Sequence, residues 1–280
     1  MLFWGLSFIW SAVLLKYYQP ITIIFIRLII SAAFLFILLH FFWNEERIEK
    51  KDFGLILLSS IFNPFLYFLG ENYGLKFSSP TIASVIIATI PVFTPLAGYL
   101  YFREKMTSIN FIGISISFSG VMLMLIKPNL SLNTDLRGVL CLSGAVLVSL
   151  FYSVTLRKLT SKYSALIVIA YQNLIGIFLF LPLFLIFEAP LIKTIVVNKE
   201  IIVSILLLGI LASSVSFVFF AHSVKLMGMS KTNIYSNLIP VFTALFSFFL
   251  LSESFSIQKI GGIILVVGGV YLSERTKRIV

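Results

Sequence analysis

Ten apolar stretches, each near the length that crosses a bilayer, make up most of this 280-residue chain. They run roughly over 2–18, 20–43, 53–74, 80–102, 109–126, 138–157, 164–187, 200–222, 230–251 and 256–273. A hydrocarbon core of roughly 30 Å needs about 20 predominantly apolar residues of helix. Ten such spans use about 200 residues, and the remainder is divided among nine loops and a short tail. No extramembrane domain fits in that space. Composition agrees: 59% of residues are hydrophobic, 11% are charged, and the mean hydropathy is +1.06. Soluble domains carry roughly 45–50% apolar and about 25% charged residues. A soluble enzyme, a disordered chain and a nucleic-acid-binding domain are thereby excluded.

The first span opens at Met1 with no basic segment and no cleavage signature ahead of it, so it reads as a span and not a signal peptide. It is also short, which points to a few residues missing before it or to a different start codon. Lys and Arg favour the cytoplasmic loops of membrane proteins. With Met1 inside, thirteen of them fall in cytoplasmic segments, Lys50, Lys51, Arg157 and Lys158 among them, and seven fall outside. Arg27 lies within a span. The expected arrangement is a multi-pass protein of the cell membrane with both termini cytoplasmic. Positive loops facing anionic lipid then account for the net charge of +10 without nucleic acid. Cys141 is the sole cysteine, so no internal disulfide and no cysteine-rich metal site can form.

The chain repeats itself. Shifted by 149 residues, Ile90-Pro91-Val92-Phe93-Thr94 falls on Ile239-Pro240-Val241-Phe242-Thr243. Leu96 then meets Leu245, Glu104 meets Glu253, Gly113-Ile114 meets Gly262-Ile263, Gly120-Val121 meets Gly269-Val270, and Leu123 meets Leu272. Such self-similarity marks a repeat architecture. The unit holds five spans, an odd number, so the second copy enters the membrane from the opposite side. The expected fold is therefore an all-α membrane protein of ten transmembrane helices, built as two inverted five-helix repeats over 1–130 and 131–280. Inverted repeats of this kind place a substrate site near the bilayer midplane, at the repeat interface.

Several short pieces accompany the repeat. Trp4-Gly5 stands early in the first span and Arg27 in the second. Glu71-Asn72-Tyr73-Gly74-Leu75-Lys76 closes the third, Pro91-Val92-Phe93 lies in the fourth, Arg103-Glu104 follows it, and Gly113 and Gly120 mark the fifth. With these pieces at this spacing, the chain resembles the drug/metabolite transporter superfamily, in its EamA-type ten-helix branch, over nearly its whole length. The resemblance implies a basket-like bundle, open to one side, that carries small organic molecules; members include exporters of amino acids and other metabolites. One departure is that Ser252-Glu253 stands where the first half has Arg103-Glu104.

Candidate residues for a transport path follow from position. Pro91 and Pro240 lie mid-span, where a missing N–H kinks the helix and a freed carbonyl must face protein or a wet cavity. Asn233, Asn237 and Pro240 share one helix face, and their shifted equivalents are Ser84, Ala88 and Pro91. Carboxamides on that face both donate and accept, which suits a zwitterionic or amide-bearing ligand; Asn also bridges helices in membranes. Arg27 and Glu71 are ionisable groups in or at the edge of spans, hence functional candidates for pairing or proton coupling. Glu71 could equally be an interfacial residue open to water. Trp4, Tyr67 and Tyr152 are the aromatic candidates for the cavity wall, with Ser216 at the position equivalent to Tyr67. Glu104 and Glu253 read as structural corners at helix C-termini, where a carboxylate opposes the helix dipole. Gly113, Gly120, Gly262 and Gly269 allow close helix contact. His40 and His222 read as interfacial, and neither has the spacing of a metal ligand.

These residues make a secondary transporter the leading expectation, exporting small metabolites such as amino acids by alternating access. No phosphate loop occurs, and neither a cofactor nor a metal is expected. The expected partners are a small-molecule substrate and membrane lipid. One chain supplies both repeats, so a monomer is expected. A membrane enzyme would need clustered acids, bases or ligands, and a channel a charged ring or filter; neither is seen in the sequence. A multidrug exporter of hydrophobic cations is the alternative.

Overall fold

The computed structural model describes residues 1–42, 48–94, 108–125, 134–194, 198–252 and 256–274. The described residues are helical, with no strand among them. Five helices are long and apolar enough to cross a membrane: α2 (Pro20–Phe42), α3 (Lys50–Lys76), α6 (Leu136–Thr160), α7 (Ala165–Leu191) and α8 (Lys199–Met227). Five shorter apolar helices accompany them: α1 (Leu2–Leu14), α4 (Pro80–Thr94), α5 (Ser108–Leu125), α9 (Met229–Leu251) and α10 (Ile257–Glu274). Large apolar side chains such as Phe41, Phe118, Phe178, Ile186 and Phe249 stand exposed on the bundle surface. Such a surface suits hydrocarbon and not water. The chain is an all-α, multi-pass membrane protein.

Helix starts are written in the sequence. Pro80 takes the first position of α4, where its missing N–H costs nothing, and the Ser79 hydroxyl accepts from Ile82 N at 3.3 Å. Asp135, Ser164 and Asn198 cap α6, α7 and α8 in the same way. The start of α2 is capped from a distance instead. Glu188, at the far end of α7, accepts from Ile21 N at 3.2 Å, Thr22 N at 2.6 Å and Thr22 Oγ1 at 2.7 Å. A carboxylate there satisfies two open N–H groups and meets the positive end of the helix dipole. At the opposite end of the bundle Asp52, opening α3, accepts from Lys162 Nζ at 2.8 Å and from Tyr163 OH at 2.8 Å. That clasp ties α3 to the turn between α6 and α7.

The helices pack in matched contacts. α5 lies along α10, α2 along α7, α3 along α6, and α1 against both α8 and α9. α2 also meets α8, α7 meets α3, and α4 meets α6 and α9. The α5–α10 contact runs backbone to backbone. A Cβ on Gly120 would stand 2.7 Å from Gly262 O, and one on Gly269 would stand 2.6 Å from Gly113 O. Only glycine allows that approach.

Besides the π-helical stretch Phe184–Glu188 near the end of α7, two long helices, α3 and α8, break at related places. In α3 the stretch Ile61–Leu66 is π-helical, and Asn63 leaves helical geometry altogether at φ −143°, ψ 121°, just before Pro64. In α8 the stretch Leu208–Ser216 is π-helical. Serines tie down its carbonyls: Ser213, Ser214 and Ser216 donate to Leu208 O, Gly209 O and Leu211 O, at 2.9–3.0 Å. π-bulges of this sort are frequent at functional sites.

The prolines of α4 and α9 act one turn ahead of themselves. Helix Pro80–Ile87 gives way to a turn at Ala88–Thr89 before Pro91, and α9 tightens to a 3₁₀ turn over Tyr235–Asn237 before Pro240. Both breaks fall where the proline lacks an N–H for the carbonyl four residues back.

Candidate functional site

The breaks in α3, α8 and α9 and the turn in α4 surround one internal cavity. Its wall draws on seven helices: Trp4, Ser7 and Phe8 from α1; Arg27 from α2; Asn63, Tyr67, Phe68 and Glu71 from α3; Ile87 and Ile90 from α4; Ser149, Tyr152 and Ser153 from α6; Phe217 and Phe220 from α8; Asn233, Ser236 and Ile239 from α9. Its volume is about 60 Å³, enough for a few waters and too little for an amino acid unless the wall moves.

Charge is concentrated at one side. Arg27 is only 2% exposed, and its Nη1 lies 3.9 Å from Glu71 Oε2. Arg27 Nε donates to Ser213 Oγ at 2.7 Å, and its guanidinium carbon lies 4.0 Å over the Phe68 ring. The serine comes from the α8 π-segment, so the bulge positions the arginine. Glu71 accepts from Tyr67 OH at 3.0 Å through Oε1, and its side chain is 14% exposed. The carboxylate lines the cavity.

The same cavity has an aromatic wall. Trp4 packs edge-on to Phe217 at 5.0 Å and tilted on Phe220 at 5.1 Å. Its indole N–H donates to Ala212 O at 3.3 Å, a carbonyl of the α8 bulge.

Behind the wall a buried hydrogen-bond network joins the helices. Tyr152 OH donates to Gln172 Oε1 at 3.3 Å, and Gln172 Nε2 donates to Ser59 Oγ at 2.7 Å. Asn173 Nδ2 donates to Ser31 Oγ at 2.6 Å and to Ser213 O at 3.3 Å. Buried networks so satisfied fix side-chain positions.

Of the residues singled out in the sequence, the cavity gathers Trp4, Arg27, Tyr67, Glu71, Tyr152 and Asn233. Asn233 also donates to Thr94 Oγ1 at 3.2 Å, linking α9 to α4. Ser84, Ala88, Pro91, Ser216, Asn237 and Pro240 are buried outside the wall. Ser84 and Ser216 spend their hydroxyls on Thr81 O and Leu211 O. Asn237 misses the wall for a geometric reason. The 3₁₀ turn advances about 120° per residue where an α-helix advances about 100°, so Ser236 takes the place next to the cavity. His40 and His222 are exposed. Glu104 and Glu253 lie outside the described residues.

Other wall residues carry a weaker signal in the sequence. Asn63 precedes a mid-span proline, a position biased away from helix, and it stands four residues before Tyr67 and eight before Glu71 on one face. Ser149 stands three residues before Tyr152 and four before Ser153, so it shares a helix face with each of them.

Comparison with known proteins agrees with this architecture. The sequence model of the EamA-like transporter family matches residues 1–126 and again 136–275. The chain belongs to the EamA-like transporter family. It is 24% identical over 275 residues to an uncharacterized transporter of Archaeoglobus fulgidus, with 98% of this chain and 96% of that one covered. It is 29% identical over 291 residues to an uncharacterized transporter of Methanothermobacter thermautotrophicus, at 95% and 82% coverage. The uncharacterized transporter YcxC of Bacillus subtilis is 25% identical over 285 residues, at 98% and 91%. One solved crystal structure superposes with a TM-score of 0.72 at 16% identity, covering 97% of this chain and 96% of its own; at that identity it shows a shared fold. The family and its relatives make this EamA-like protein a membrane transporter.

Proposed function

We propose that this protein is a secondary transporter that exports small polar or amphipathic metabolites, amino acids foremost, across the cell membrane by alternating access. The observation that carries the reading is the cavity, where a buried cation and carboxylate, carboxamides and an aromatic wall converge from seven helices. A few precisely placed polar groups in a mostly apolar pocket is how small-molecule sites are built.

The chain is read here as two inverted repeats, 1–130 and 131–280, with both termini cytoplasmic. Three observations support the repeat. The family model matches the chain twice, over 1–126 and 136–275. The π-segments Ile61–Leu66 and Leu208–Ser216 overlap when shifted by the 149-residue period of the sequence. Exchanging the repeats maps the contact of Gly120 with Gly262 onto that of Gly269 with Gly113. The orientation is supported by the excess of Lys and Arg in the loops assigned to the cytoplasm.

Glu71 is the residue proposed to couple transport to protons, because it is the carboxylate on the cavity wall. The aromatic wall gives some weight to a second reading, export of hydrophobic cations. Arg27, buried beside the same carboxylate, weighs against it by opposing any cation that approaches.

The test is efflux from liposomes holding the purified protein and loaded with amino acids and related metabolites, with and without an imposed pH gradient. Saturable efflux of one compound class is the expected result, accelerated by the gradient. Movement of hydrophobic cations alone would select the second reading.

A further inference from the structure

Arg27 keeps one donor group unused. Ser213 occupies its Nε and the Phe68 ring covers one face of the guanidinium. Nη1 is 3.9 Å from Glu71 Oε2, near enough to balance charge and too far for a hydrogen bond. It is buried without any hydrogen-bond partner, on a residue that lines the cavity. Buried polar groups are nearly always paired, and Arg–carboxylate pairs frequently close into a bidentate fork. Here the fork is held open. Glu71 is fixed in a similar manner, with Oε1 engaged by Tyr67 and Oε2 left on the arginine side.

We infer that the Arg27–Glu71 pair is a receptor for a net-neutral zwitterion whose ammonium and carboxylate stand a few ångströms apart. Arg27 Nη1 takes the substrate's carboxylate, and Glu71 Oε2 takes its ammonium. The inference rests on the cavity being the transport site and narrows the substrate class of that site. The electrostatics follow from the spacing. Two opposite charges 3.9 Å apart form a dipole, and a zwitterion aligned against it satisfies both ends. A simple cation attracted by Glu71 meets Arg27 at nearly the same distance, and a simple anion meets the reverse. Either would surrender its hydration for little net attraction. The substrate's side chain then faces Trp4 and Phe217, which favours apolar or aromatic groups.

The experiment is equilibrium binding of radiolabelled L-leucine and L-phenylalanine to the purified wild-type protein in detergent. Each is competed by its decarboxylated amine (3-methylbutylamine, 2-phenylethylamine) and its deaminated acid (4-methylpentanoate, 3-phenylpropionate). The expected result is that each amine and each acid competes at least about tenfold more weakly than the parent, since each lacks one charge-assisted contact. Glu71→Gln should bring the acid closest to parity, a change of selectivity that a purely structural ion pair would not produce. An amine competing as well as its amino acid overturns the inference. So does failure of amino acids to bind while liposomes still release another metabolite, an outcome that leaves the transport reading standing. Liposomes that release no metabolite at all would remove both.

Discussion

At the scale of single residues, the cavity rests on charges that stabilise one another only as a pair. Arg27→Ala leaves Glu71 without its counter-ion in a water-poor site, and breaking a buried pair by removing one partner costs about 3–5 kcal/mol. Thermal unfolding in detergent should show a clearly lowered Tm, and an unchanged Tm would contradict the pairing. Glu71→Gln keeps the shape and removes the charge. With substrate raised to saturation, to offset the lost ammonium contact, its proton-driven efflux should still fall at least about tenfold while exchange of internal for external substrate persists. Equal loss of both activities would remove Glu71 from coupling. Arg27 and Glu71 stand out in the sequence because charges are rare in spans, and rarity is readable without a structure. The partners that position them are not readable in that way. Ser213 is one hydroxyl among many, and its role depends on a bulge that no local pattern announces. The wall position of Ser236 in place of Asn237 likewise follows from a 3₁₀ turn, where an uninterrupted α-helix would put Asn237 on the face of Asn233.

At the scale of elements, the spans follow from hydropathy alone, because a bilayer fixes their length. Their internal breaks do not. Pro64, Pro91 and Pro240 mark three of the kinks, yet the α8 bulge contains no proline, and its serines satisfy the carbonyls in a way that only the folded helix reveals. Glu188 could not be foreseen as the cap of α2, since about 166 residues separate the partners. Glu188→Ala should cost about 1–3 kcal/mol, the loss expected when buried N–H groups are left open, measured as a drop in Tm; no drop would show that water replaces the carboxylate. The glycine seam between α5 and α10 offers a sharper contrast. Gly269→Ala would put a Cβ 2.4 Å from Ser117 N and 2.6 Å from Gly113 O, backbone atoms that cannot turn aside. It should destabilise by about 1–3 kcal/mol. Gly144→Ala meets nothing within 4 Å and should be neutral or stabilising by up to about 1 kcal/mol. Equal effects of the two substitutions would contradict the close approach.

For the whole molecule, the mechanism proposed above has one cavity serve both faces of the membrane, and the repeat in the sequence and the matched helix contacts are what support it. The cavity is too small for its proposed cargo as it stands, so the bundle must open. The Asp52 clasp with Lys162 and Tyr163 and the Glu188 cap on α2 hold opposite ends of that bundle. The claim is tested most directly by placing one thiol in the cavity. Ser153→Cys in a Cys141→Ser background, in oriented vesicles, would be treated with a membrane-impermeant thiol reagent from either side. Labelling from both sides is predicted, faster from the side of the α6–α7 turn when Asp52→Ala is added. Labelling from one side only, unchanged by Asp52→Ala, would contradict alternating access through this cavity.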